Sequence, residues 1–209
     1  MFYFFPFVTA TAQKFNGKIY NGKEYVPATV FISGTPLYHN GENRENNTLM
    51  FDKVLYKDIR LFYDIKTDDL IITQRTGLTD IIVVKEMVDF FTIGKDTIVH
   101  LKEAATGLTD GFYLQIFNSP AYKAVARYKK EVKIPQVVNE KSYYSETVKY
   151  FVKTPGSDHF IPVRNIQNLL SIDKQYKKKL KQLLRAHGNR ESFPASISLV
   201  LDYLNKTSL

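Results

Sequence analysis

An alternation of apolar and polar residues with a period of two runs through most of this chain, and it constrains the fold more than any other feature. In the segment Ile59–Ile65 the odd-numbered residues are Ile, Leu, Tyr and Ile and share one face, while Arg60 and Asp64 fall on the other. This is the pattern of a strand with one buried face. Thr67-Asp68-Asp69 then predicts a turn into a second strand, Leu70–Thr73.

Six more short strands are predicted between glycine, proline and asparagine breakers. Short strands without helices between them favour antiparallel meanders over a parallel, doubly wound sheet. Aromatic residues make up 14% of the chain and favour the same structure, because Phe and Tyr form strands readily. Two long polar segments, Gly34–Asn47 and Glu131–Ser142, are predicted to be surface loops. The six strands are Ile81–Val84, Phe90–Ile93, Thr97–Leu101, Phe112–Phe117, Tyr122–Tyr128 and Ser145–Val152.

After Pro162 the apolar period becomes that of a helix. A first helix is predicted with Asp173 as its N-cap and Gly188 as its C-terminal stop. A second helix should begin around Ser192-Phe193-Pro194, and the short Gly188–Glu191 link predicts an antiparallel hairpin. The first helix has an apolar stripe of Tyr176, Leu180, Leu183, Leu184 and His187, and the second repeats Ile197, Val200, Leu201 and Leu204.

These patterns together predict an α+β protein. Its main part would be an aromatic-rich antiparallel sheet, followed by a basic α-helical hairpin. A strongly curved sheet and a flatter one both fit the pattern. A chain of 209 residues suffices for one domain with a small appendage. The predicted organisation is a truncated signal peptide over 1–12, an antiparallel β domain over 13–161, and a helical hairpin over 162–209 that packs on the β domain.

The first twelve residues are apolar, and no charge occurs before Lys14. The run is too short to span a bilayer, which takes about 20 residues, and it ends in Ala10-Thr11-Ala12, the small-x-small pattern of signal peptidase sites. A basic n-region is missing, so a truncated signal peptide is predicted, with the mature chain starting near Gln13. A buried N-terminal strand is the alternative. Export predicts a periplasmic or cell-surface location, and the absence of Cys excludes lipidation on an N-terminal cysteine.

The formal charge of +8 is unevenly distributed along the chain. Residues 1–122 carry 12 basic and 14 acidic side chains, whereas residues 123–209 carry 17 and 7. A basic region fits an anionic surface or a nucleic acid, and it can also serve solubility alone. No zinc-finger spacing, basic zipper or aromatic-glycine RNA-binding motif accompanies the charge, so nucleic acid is disfavoured.

The first predicted helix carries the most concrete candidate site. At 100° per residue, four of its cations fall within about 60° of one another, opposite the leucine stripe, and two more flank them. The four are Lys174, Lys178, Lys181 and Arg185, and the flanking two are Lys177 and Lys179. This face could dock on phosphate-rich or carboxylate-rich material, or it could be an ordinary solvated helix face. The candidate binding residues are Lys174, Lys177, Lys178, Lys181 and Arg185.

Several strand and turn segments occur in an order that resembles a known group of sequences. They are Ser33–Tyr38, Asn47–Phe51, Val54–Asp64, Asp69–Ile72, Gly111–Tyr113, the Lys-rich helix and Asp202–Asn205. In this order the chain resembles a family of uncharacterised exported, periplasmic or cell-envelope proteins of Bacteroidota-type bacteria. The resemblance implies an envelope location, and it brings neither an activity nor site residues.

Signatures of catalysis and of metal binding are missing from the sequence. It has no nucleophile elbow, zinc-binding H-E-x-x-H helix, P-loop or dinucleotide fingerprint, so no catalytic residue, metal ligand or cofactor is assigned. Ser157-Asp158-His159 unites a hydroxyl, a carboxylate and an imidazole. Neighbouring residues of an extended segment point in opposite directions, so a turn is expected there and not a triad. His100 is expected to be a satisfied sheet histidine.

The function predicted from these observations is a non-enzymatic binding or interaction module of the envelope. Its partner would be an anionic envelope component or another envelope protein. One alternative is a carrier of lipid or another small apolar ligand on a curved sheet, which needs an open apolar cavity. The other is a hydrolase of envelope glycan, which needs two carboxylates that converge in a cleft.

Overall fold

The residues that the structure describes form two antiparallel sheets and four α-helices. The structure is a computed structural model that describes residues 17–27, 32–42, 44–74, 76–136, 140–187 and 192–207. In these ranges the strands are β1 (Lys23–Glu24), β2 (Asn47–Phe51), β3 (Val54–Ile59), β4 (Leu61–Asp64), β5 (Asp69–Thr73), β6 (Asp80–Ile82), β7 (Val88–Ile93), β8 (Asp96–Leu101), β9 (Gly111–Asn118), β10 (Lys123–Lys133), β11 (Tyr143–Lys153) and β12 (Ile161–Val163). The helices are α1 (Glu103–Thr106), α2 (Ile166–Leu170), α3 (Lys177–His187) and α4 (Phe193–Thr207).

The smaller sheet has the strand order β1-β6-β5-β4, and the larger has the order β12-β11-β10-β9-β8-β7-β2-β3. Every pairing between named strands is antiparallel, as the alternation predicts. Neither sheet is closed or strongly curled, so the strongly curved form that the sequence left open is not observed. The chain instead leaves the larger sheet after Ile59 and enters the smaller sheet at Leu61. Period-two alternation predicts which face of a strand is buried, but it does not predict where the chain passes from one sheet to the other.

The two sheets bury a shared aromatic core. The four odd-numbered side chains of Ile59–Ile65 all lie in this core, as predicted. Three rings from both sheets meet edge to face: Tyr63 is 5.7 Å from Phe91 and from Phe112, and the last two are 5.1 Å apart. Such edge-to-face pairs add about 0.5–1.5 kcal/mol each to the burial of their apolar surface.

Asp64 does not lie on a polar, solvated face as the alternation suggests; it is only 4% exposed. Its Oδ1 accepts hydrogen bonds from the backbone N–H groups of Lys66 and Thr67, and its Oδ2 accepts one from the Tyr25 hydroxyl. A buried carboxylate is tolerated when such donors replace water. Asp64 therefore closes the β4–β5 turn from inside.

Strand boundaries differ from the predicted ones mainly in β10 and β11. Both strands have 11 residues, and they pair from Lys123↔Lys153 to Lys133↔Tyr143. The predicted loop Glu131–Ser142 therefore loses its first three residues to β10. Strands β2 and β3 were not among the predicted strands, and β2 begins at the end of the predicted loop Gly34–Asn47. The last strand, β12, crosses the predicted domain boundary at residue 161.

Helices α2, α3 and α4 pack together, and α4 contacts strands β9 and β10 of the larger sheet. Tyr176, Leu180, Leu183 and Leu184 join strand residues such as Ala124 and Val152 in one apolar cluster. His187, the last member of the predicted stripe, is exposed, because it lies at the C-terminal end of α3. The four apolar residues predicted for the second helix, Ile197, Val200, Leu201 and Leu204, are fully buried in α4.

Asp173 is not the N-cap of α3, which begins four residues later at Lys177. Its Oδ1 accepts from the Gln175 backbone N–H and closes the turn before the helix. The predicted stop at Gly188, the link Gly188–Glu191 and the signal-peptide segment 1–12 lie outside the described residues.

Candidate functional site

The five predicted binding residues are all exposed, and four of them belong to α3. Lys177, Lys178, Lys181 and Arg185 lie on the helix. Lys174 precedes it, in a turn that is tied to the helix by the Lys177 N–H, which donates to the Lys174 carbonyl over 3.4 Å. The structure therefore brings the predicted cations to one part of the surface.

These cations lack acidic partners in the described part of the chain. None of the ion pairs that the structure describes includes a basic residue of 174–185. The α3 sequence KKKLKQLLRAH has no Asp or Glu at all. By contrast, Lys206 of the neighbouring helix α4 pairs with Asp202 at 2.6 Å. The positive charge of α3 is therefore not neutralised locally.

The order of residues within α3 raises its positive potential further. Lys177, Lys178 and Lys179 occupy the first turn of the helix, where the helix dipole already places a partial positive charge. Cations at this end typically cost a few tenths of a kcal/mol, whereas acidic residues stabilise it. The three lysines are therefore unfavourable for helix stability, and they add to the positive potential at this end of α3.

The face opposite these cations anchors α3. Leu180 is fully buried, while Leu183, Leu184 and Tyr176 are partly buried against the same cluster. The Tyr176 ring lies 6.2 Å from the Tyr203 ring of α4 in an edge-to-face arrangement. The basic face is therefore presented on a helix with a fixed orientation.

A second feature, a cleft of about 900 Å³, lies on the β10–β11 hairpin. Its floor consists of alternate residues of these strands, among them Arg127, Lys129 and Lys149. One wall is the segment 103–110, which contains α1, and the other is the β4–β5 turn, residues 65–68. Sequence reasoning missed this site, because it ended the β10 strand at Tyr128 and treated Glu131 as the start of a loop.

Arg127 connects the floor of the cleft to both walls. Its Nη1 donates to the Thr109 hydroxyl (2.6 Å) and to the Tyr113 hydroxyl (3.0 Å). Its Nη2 donates to the Asp110 carbonyl (3.3 Å) and to Asp68 Oδ2 (3.4 Å). The planar, multidentate guanidinium suits such a role. Arg127 thus fixes the width of the cleft.

Asp68, in one wall, is fully engaged in structural contacts. Its Oδ1 accepts from the Tyr63 hydroxyl (2.6 Å) and from the Phe112 N–H (3.3 Å). Its Oδ2 accepts from Lys85 Nζ at 2.9 Å as well as from Arg127. Burial, together with this carboxylate, raises the pKa of Tyr63 well above its ordinary value, so the phenol stays a donor. The Asp68 carboxylate thus joins the β4–β5 turn to β9, to Lys85 and to Arg127.

Another cleft carboxylate, Glu131, is held in its charged form. Hydrogen bonds and charge from Lys129 and then from Lys133 lower its pKa. A glycan hydrolase needs one carboxyl group that stays protonated as a general acid. Glu131, held in its charged form by two lysines, does not meet this requirement.

The Ser157-Asp158-His159 segment forms a turn, as predicted. The Ser157 hydroxyl donates to the backbone carbonyl of His159 and accepts from its N–H, so it does not contact the imidazole. His100 is a satisfied sheet histidine: its ring nitrogens face the Val88 carbonyl at 3.1 Å and Asp110 Oδ1 at 2.9 Å. Neither histidine contributes a catalytic arrangement.

Comparisons with known proteins identify no relative: no family model, no curated protein and no solved structure matches the chain. Among the described residues, no group of three or more His, Asp or Glu side chains is placed to hold a metal ion. None of the helices in the described ranges combines the length and the apolar character that a bilayer crossing requires.

Proposed function

We propose that this protein is a non-enzymatic binding module of the cell envelope that docks on anionic material through the basic face of α3. The observation that supports the proposal most is the set of five exposed cations at 174–185 without acidic partners among the described residues. They are Lys174, Lys177, Lys178, Lys181 and Arg185.

The rigid attachment of α3 supports docking as a function. Leu180 and its neighbours fix α3 against α2 and α4, so the helix that carries the cations is already positioned when a ligand binds. Less conformational entropy is lost on binding when the charged groups are already positioned. Charged side chains on a fixed helix also attract an anionic surface over roughly one Debye length, about 8–10 Å at physiological salt.

The export part of the proposal rests on the N-terminal sequence and on the resemblance to envelope proteins. Both remain predictions. An envelope location would supply abundant anionic partners, since membrane headgroups carry phosphate.

The carrier alternative has no supporting observation. The sheets are not strongly curled, and the 900 Å³ cleft is lined largely by charged and hydroxyl side chains. The hydrolase alternative would require a protonated carboxyl group in that cleft, and the charges of Lys129 and Lys133 disfavour Glu131 for that role.

The proposal is tested by binding to vesicles that contain phosphatidylglycerol, measured by co-sedimentation at low and high salt. The parent chain should bind these vesicles, should release them as salt increases, and should ignore vesicles of phosphatidylcholine alone. Each basic residue near an anionic membrane contributes about 1 kcal/mol. The double reversal Lys178→Glu/Lys181→Glu should therefore lose roughly 4 kcal/mol, a factor of about a thousand in partitioning.

The matched control is Lys57→Glu/Lys95→Glu, which changes the net charge equally at two exposed lysines outside α3. This control should retain most of the binding. Equal losses in the two double variants would show that only the net charge matters, and would refute a docking role for α3.

A further inference from the structure

We propose that the cleft on the β10–β11 hairpin is a second, separate binding site, and that it takes a neutral oligosaccharide. The cleft has a volume of about 900 Å³, which lies within the usual range of small-ligand sites, about 300–1,000 Å³. It is formed without any residue of α3.

The cleft is shaped in advance by internal contacts. Arg127 bonds to the segment 103–110 on one side and to Asp68 on the other. Gly111 permits this junction: a Cβ atom there would lie 2.5 Å from Asp68 Oδ2 and 2.6 Å from Arg127 Nη2. A site whose walls are already fixed loses less entropy when a ligand binds.

Other polar groups of the cleft remain open to a ligand. The side chains of Lys66 and Lys149 are exposed lining residues without an ion-pair partner among the described residues. Glu103 is an exposed acid that lines the cleft and likewise has no ion-pair partner among the described residues. In Asp110 only Oδ1 is engaged, by His100. The cleft therefore offers unused donors on the hairpin and turn side, and unused acceptors on the α1 side.

The charges that line the cleft balance. Four cations, Lys66, Arg127, Lys129 and Lys149, face four acids, Asp68, Glu103, Asp110 and Glu131. A balanced site gives no net attraction to a polyanion or a polycation. A sugar hydroxyl both donates and accepts hydrogen bonds, so a polyhydroxylated chain can satisfy lysines and carboxylates together. The partly buried Phe151 ring supplies some apolar surface for its C–H groups.

The experiment is an array of neutral, amino and uronate oligosaccharides probed with the full chain, followed by titration calorimetry with the strongest neutral binder. Glu103→Ala and Lys149→Ala should each weaken that binding about tenfold or more, the usual effect of losing one hydrogen bond to a charged group. Lys123→Ala, on the same hairpin but outside the cleft, should leave it unchanged.

Two further variants separate this site from α3 and from general damage. Thr147→Trp places a large ring on the exposed floor of the cleft, where strands accept aromatic residues, and it should abolish sugar binding without lowering the melting temperature. Lys178→Glu/Lys181→Glu should leave sugar binding intact. The inference is overturned if no neutral oligosaccharide binds, if Thr147→Trp binds as well as the parent, or if only uronates bind and the α3 reversal removes them.

Discussion

Replacement of Leu180 by alanine tests whether α3 is anchored as described. Leu180 is fully buried in the apolar cluster between the helices and the larger sheet. It belongs to the same apolar cluster as the fully buried α4 residues Ile197, Val200, Leu201 and Leu204, and such a close-packed site cannot collapse easily around a cavity. Leu180→Ala should therefore cost about 3–5 kcal/mol, the range of poorly relaxing buried leucine truncations. Leu184 is only partly buried, and Leu184→Ala should cost about 1–2 kcal/mol.

The measurement is urea unfolding followed by far-UV circular dichroism and by tyrosine fluorescence, since the chain has no Trp. For a chain of this size, about 4 kcal/mol corresponds to a fall in melting temperature on the order of 10 °C. The reasoning would be refuted by a Leu180→Ala protein within about 1 kcal/mol of the parent. A Leu184→Ala protein that loses more stability than Leu180→Ala would contradict the orientation of the helix.

Two other predictions concern the cleft junction and the tyrosines. Gly111→Ala should lower the stability by about 2–3 kcal/mol, because its Cβ would collide with the Asp68 carboxylate. The control is Gly77→Ala, which should cost only about 1 kcal/mol, because Gly77 has a positive φ but no neighbour within 4 Å. Equal losses of the two variants in thermal unfolding would contradict the close contact between Gly111 and Asp68. Burial raises the pKa of Tyr128 to about 12, and that of Tyr63 well above its ordinary value. A phenol with a higher pKa in the folded state stabilises the fold fully below about pH 10 and loses that contribution as pH rises through the folded pKa. Urea unfolding should therefore show stability that falls between about pH 10 and pH 12, and a flat profile there would contradict the burial of these phenols.

Much of the fold could be predicted from the sequence because it depends on local periodicity. Alternation placed the buried face of Ile59–Ile65 correctly, and a helical period located the buried residues of α4. The break at Arg60, where the chain changes sheets, carries no local signal. Its result is visible only in the folded chain, where Tyr63 of the smaller sheet meets Phe91 and Phe112 of the larger one.

The two candidate sites differ in whether they depend on residues that are close in sequence. The cations of α3 are close in sequence, so helical spacing found them. The cleft depends on Asp68, Arg127 and the segment 103–110, which are separated by dozens of residues, and only the folded chain brings them together. One signal was available: charged residues at alternate positions from Arg127 to Glu131 continue the β10 strand on a polar face. The burial of Asp64, by contrast, could not be predicted locally, because it depends on a hydrogen bond from Tyr25, which is distant in sequence.

The most direct test of the proposed docking function is to map the contact surface by NMR. Backbone amide shifts of the ¹⁵N-labelled full chain would be followed during titration with a short-chain phosphatidylglycerol. The account predicts that the perturbed amides concentrate at residues 174–187 and return to their free positions at high salt. Shifts centred on the cleft residues 65–68 and 103–110, or no shifts at any lipid concentration, would contradict it.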